Sequence, residues 1–124
     1  MASEKFKEKY ILETTLGSFN LNLKLATKII GGIMKIVIVG LGVIGGGYAM
    51  ALKEAGYEEV YGIDKNIDTL RKAKALGIIK EGYEDEKEII KGADLIVLAV
   101  YPNLVKSFII NNKDSFKDGT IITD

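Results

Sequence analysis

An α/β fold built on a doubly wound parallel sheet is predicted from residue 34 onward, on three observations. Short apolar, β-branched runs alternate with helical stripes, the pattern of repeated strand–helix–strand units. The runs carry no polar alternation, as expected of strands buried on both faces. Glycines fall at the junctions between elements, where one must stop and the next begin.

The elements follow in order. Lys35 to Val39 reads as the first buried strand. Val43 to Ala55 follows as a helix with an apolar stripe of Ile44, Tyr48, Ala51, Leu52 and Ala55, closed by Gly56. Glu59 to Ile63 is a second strand. Asn66 suits a helix N-cap, with Asp68 in the first turn, Ile67, Leu70, Ala73 and Ala75 along the helix, and Gly77 as its stop. Ile78-Ile79 is a brief strand, and Glu84 to Lys91 a short helix. Leu95 to Val100 is a further apolar strand. Asn103 is placed to cap a helix carrying Val105, Phe108 and Ile109, and Thr120 to Thr123 opens a last strand. Right-handed crossovers then give the strand order 3-2-1-4-5, with a ligand crevice beside the first strand.

Residues 1–33 read differently. Phe19, Leu21, Leu23 and Leu25 alternate with polar residues, a strand with one buried face. Ile11 to Leu16 is its expected hairpin partner across Gly17-Ser18. This segment is read as an N-terminal extension, a fusion remnant or an upstream start, and residues 34–124 as the domain proper.

Composition excludes several chemistries. Lysine plus arginine equals aspartate plus glutamate at 17 each, so no charge excess points to nucleic acid or an anionic membrane. The chain has neither cysteine nor histidine, which removes disulfides, Cys/His zinc sites and the usual neutral-pH general base. The charged first ten residues are not a signal peptide, and no run is apolar enough to span a bilayer. A soluble, cytoplasmic protein is expected.

The chemistry concentrates at Gly40-Leu41-Gly42-Val43-Ile44-Gly45. A lone G-x-G-x-x-G is weak, but here it lies between a predicted strand and a predicted helix. Gly40 permits the tight turn, Gly42 lets a diphosphate approach bare backbone, and Gly45 lets the helix pack close. The helix-start amides and dipole favour an anion. Asp64 ends the second strand, roughly 20 residues further on, where a carboxylate accepts from adenosine ribose hydroxyls. A tight turn without ligand is the alternative for the glycines, and a solvated loop residue for the aspartate. The combined arrangement favours a Rossmann-type dinucleotide site. A 2′-phosphate here would meet Asp64 at ~4 Å, a repulsion of about 4 kcal/mol at an effective dielectric of ~20. Lys65, adjacent, partly offsets it. NAD is therefore the expected cofactor, with NADP left open. Ala99-Val100-Tyr101-Pro102, after the next apolar strand, faces the crevice from the other side.

On these residues, Met34 to Asp124 resembles the N-terminal domain of the prephenate/arogenate dehydrogenase family. The matching stretches are KIVIVGLGVIGGGYAMALKEAGY, VYGIDKN, ALGIIKEGYED, GADLIVLAVYP and DGTIITD. Gly47 stands where that family commonly has serine, and Tyr101 where a small aliphatic residue is usual. The resemblance implies oxidative decarboxylation of prephenate or arogenate in tyrosine biosynthesis. It also implies a homodimer, and a catalytic histidine and substrate-binding arginines in a C-terminal domain absent here. No catalytic residue is assigned within the chain, which is expected to bind cofactor and be inactive alone. Two other readings stay open: the cofactor domain of another G-L-G dehydrogenase, and a non-enzymatic NAD(H)-binding regulatory module.

Overall fold

A computed structural model describes residues 11–13 and 34–124. Among the described residues six strands form one parallel sheet: β1 (Ile11–Glu13), β2 (Ile36–Val39), β3 (Val60–Ile63), β4 (Glu81–Tyr83), β5 (Leu95–Leu98) and β6 (Ile121–Thr123). Their spatial order is β1-β6-β5-β2-β3-β4. Counted from Met34, the five domain strands run 3-2-1-4-5, as the alternation of elements predicts. β1 adds a sixth strand outside that order, pairing in parallel with β6 from Ile11–Ile121 to Glu13–Thr123. The expected hairpin partner around Phe19 to Leu25 lies outside the described residues.

Right-handed crossovers put helices on both faces, because the chain winds one way from β2 to β4 and the other way from β2 to β6. α1 (Val43–Glu54) and α2 (Ile67–Ala75) cover one face. There Ile36, Ile38, Leu95 and Val97 of the strands meet Ala49, Leu52, Leu70 and Ala73. α3 (Pro102–Asn112) covers the other, where Val37, Val39, Ile96 and Leu98 meet Phe108 and Ile109. β2 and β5 are buried along their whole length, which is why their residues show no polar alternation.

Several local expectations are corrected. α1 buries Gly45, Ala49 and Leu52, while Ile44 is 71% exposed and Ala51 and Ala55 are also exposed. At Gly45 the helix lies almost against the turn that precedes it, leaving no room for a side chain, and Leu52, two turns further on, fills the core instead. The third domain strand is Glu81–Tyr83 rather than Ile78-Ile79; Ile79 is buried but precedes the strand. Glu84 to Lys91 forms no α-helix, only a 3-10 turn at Ile89–Gly92 that buries Ile89 and Ile90. Tyr101 is the N-cap position of α3 and Pro102 its first residue, so Asn103 lies inside the helix and does not cap it. No helix among the described residues is long and apolar enough to cross a membrane.

Candidate dinucleotide site

The glycine-rich turn leaves β2 at Gly40, whose φ of +91° suits glycine alone. Its amide donates to Ile63 O at 2.7 Å, completing the β2–β3 ladder. A Cβ on Gly40 would sit 2.5 Å from Ala99 O, so the turn abuts the segment after β5. Gly45 is tighter still: its Cβ would stand 1.8 Å from Gly40 O and 3.1 Å from Ala99 Cβ. These two glycines exist for the protein's own packing.

Gly42 differs. It is the N-cap of α1 with φ −70°, a conformation open to any residue, and a Cβ there would meet nothing within 4 Å. No side chain caps this helix start. The first helical bond runs from Gly46 N to Gly42 O at 2.8 Å, so the amides of Val43, Ile44 and Gly45 have no acceptor within the helix. The side chains of Val43 and Ile44 are exposed. Open space beside uncapped amides is what an anionic diphosphate needs, and it is what an alanine methyl at Gly42 would enter.

Asp64 follows β3 at the same end of the sheet. Its amide donates to Tyr83 O at 3.1 Å. Its Oδ2 accepts from Leu41 N at 2.9 Å and its Oδ1 from Asn66 N at 2.9 Å. Asn66 Oδ1 in turn accepts from Asp68 N and Thr69 N, capping α2. Lys65 is exposed beside it. On the far side of the turn, Ala99 N donates to Val39 O at 2.8 Å. Ala99 and Val100 are half-buried against the turn, while Tyr101 is 78% exposed and Pro102 exposed. The structure thus gathers Gly40 to Gly45, Asp64, Ala99 and Val100 around one corner. It leaves Lys65 and Tyr101 at the rim.

One contributor, Gly62, escaped the motif-based reading. Leu41 is buried, and a Cβ on Gly62 would lie 2.3 Å from its Cδ1, so Gly62 is the floor on which Leu41 rests. The signal was available: an isolated glycine inside a strand run marks a close approach. Tyr48 of α1 packs against the core, and burial, then the Asp124 carboxylate, raise its phenol above the ordinary value. A separate hollow of about 460 Å³, lined by Lys53, Gly56, Tyr57, Val60, Gly77 and Ile79, lies at the amino ends of the strands, opposite this corner.

A parallel sheet of this order, a glycine-rich strand-to-helix turn and an acid ending the next strand define an NAD(P)-binding oxidoreductase fold. Residues 35–123 match the family described as NADP oxidoreductase, coenzyme F420-dependent, and the chain belongs to that family. Among curated proteins it is similar to prephenate dehydrogenase of Lactococcus lactis subsp. cremoris, 38% identical over 96 residues, 73% of this chain. The chain spans 25% of that relative's length. Among solved structures it is similar to Aquifex aeolicus prephenate dehydrogenase in complex with hydroxyphenyl propionate and NAD+, with TM-score 0.66 and 26% identity over 73% of this chain and 33% of that one. Synechocystis arogenate dehydrogenase gives TM-score 0.67 and 27% identity over 73% of this chain and 32% of that one.

Proposed function

We propose that this chain is the cofactor-holding part of a prephenate or arogenate dehydrogenase of tyrosine biosynthesis, that it binds NAD(H), and that it turns over nothing by itself. The observation that carries the proposal is Gly42, a glycine required neither by its own φ nor by any neighbouring atom, set at an uncapped helix start. The bare amides of Val43 to Gly45 hold the diphosphate, Asp64 accepts from the adenosine ribose, and Ala99 to Pro102 border the nicotinamide side. When bound, the nicotinamide supplies the hydride acceptor. This chain's residues orient it and exclude water from one of its faces. Lys65 at the rim is the residue that would tolerate a 2′-phosphate, and Asp64 the one that opposes it.

The segment 1–33 is an extension to this domain, and substrate binding and homodimer formation belong to the parts of the longer relatives that this chain does not span. Calorimetric titration of the 124-residue chain with NAD, NADH and NADPH tests the cofactor reading. NAD should bind more tightly than NADPH. Asp64→Ala should weaken NAD by about 1–3 kcal/mol, the value of a lost charged hydrogen-bond partner, and narrow the gap to NADPH. Equal heats and affinities in both proteins would remove the ribose assignment.

A further inference from the structure

We propose that Asp64 is also a positioning residue: it latches the glycine-rich turn into its binding shape before any cofactor arrives. The latch is a property of the chain alone, and only its effect on binding rests on the dinucleotide reading above. The regular β2–β3 ladder ends with Gly40 N on Ile63 O. The next amide, Leu41 N, turns away from the strand and donates to Asp64 Oδ2 at 2.9 Å. Leu41's side chain is pinned at the same time, buried over Gly62. With both its backbone and its side chain held, Leu41 fixes where Gly42 falls and hence where α1 begins. Asp64 is itself fixed, by Tyr83 O behind it and Asn66 N beside it.

An ionised carboxylate has about four acceptor directions. Two are taken by Leu41 N and Asn66 N, and the others remain for ligand hydroxyls. One side chain thus ties the diphosphate end of the site to the ribose end. An aspartate serving only as a ribose acceptor would leave the ligand-free turn unchanged when replaced. A latch would not. Asp64→Asn is the sharper variant, because it keeps the shape but has only one acceptor end for two converging N–H donors.

The test is amide hydrogen exchange and ¹⁵N–¹H NMR on the full chain without any cofactor. In the unaltered protein, Leu41 N–H should exchange far more slowly than the uncapped Val43 and Ile44 amides. In Asp64→Asn its exchange should accelerate roughly tenfold or more, with Val37 in the core unchanged. The Val43 and Ile44 amide resonances should shift, although Asp64 touches neither. Asn66→Ala, which removes the α2 cap but leaves the backbone donor, should keep Leu41 protected. Leu41 exchanging as fast as Val43 in the unaltered protein would overturn the latch, even if every Asp64 variant failed to fold. So would unchanged Leu41 exchange in Asp64→Asn. Should Leu41 behave as expected while added NAD moves no resonance, the latch stands and the cofactor reading falls.

Discussion

Gly42 and Gly45 lie in the same helix turn and are glycine for opposite reasons. A methyl at Gly45 would press into the Gly40 carbonyl, which is backbone and cannot swing aside. Gly45→Ala should therefore destabilise the domain by about 3 kcal/mol, an overpacking cost, seen as a lower urea midpoint. A methyl at Gly42 meets only open space. Gly42→Ala should change stability by no more than about 1 kcal/mol, the difference between glycine and alanine at an N-cap. It should nonetheless weaken NAD roughly tenfold, about 1.4 kcal/mol, by occupying the approach to the amides. A Gly42→Ala protein with full affinity would show that the diphosphate docks elsewhere. The motif already assigns the two glycines these separate roles. What the folded chain adds is the atoms behind each: the Gly40 carbonyl against Gly45, and open space beside Gly42.

At the scale of elements, the buried strands were legible because β2 and β5 are apolar at every position, a pattern with few competing explanations. The edge strand was not. Among the described strands Glu81-Gly82-Tyr83 pairs with β3 alone, and it is polar enough to look like loop, whereas the adjacent Ile78-Ile79 has the apolarity of a strand without its pairing. α1 failed similarly at Ile44, since a hydrophobic stripe counts apolarity, and close packing on the Gly40 turn selects for smallness. The starts of β3 and β4 are tied by Lys80 Nζ on Glu59 Oε2 at 2.8 Å, with Tyr61 Oη donating to the same oxygen at 3.0 Å. The Lys80 hydrogen bond, then that of Tyr61, hold the Glu59 carboxyl below its ordinary value of 4.5. A lowered carboxylate stabilises the fold above that ordinary value and loses its contribution as pH falls through the lower, folded-state value. Urea midpoints measured against pH should thus drop on the acid side, and Lys80→Met should flatten that drop. An identical acid limb in the variant would mean that the pair contributes nothing.

For the molecule as a whole, the proposed division of labour has a direct measure. The chain contains no histidine, and among its candidate site residues none is placed to take a proton from a substrate hydroxyl near neutral pH. The purified chain with NAD and prephenate should give no rise in NADH absorbance, while still showing heat on NAD titration. A robust prephenate-dependent rise would end the proposal of inactivity and require a base that the present geometry does not supply.

The pairing of Ile11–Glu13 with Ile121–Thr123 bears on how the protein can be handled. A version trimmed to begin at Met34 keeps the whole glycine-rich corner. It also strips the outer neighbour from β6, baring a row of backbone donors and acceptors that other molecules can adopt. Such a shortened version should scatter light and drift toward assemblies on standing, at concentrations where the longer form stays clear. Anyone seeking a minimal cofactor module would do better to keep the leading residues than to cut at the most tempting methionine.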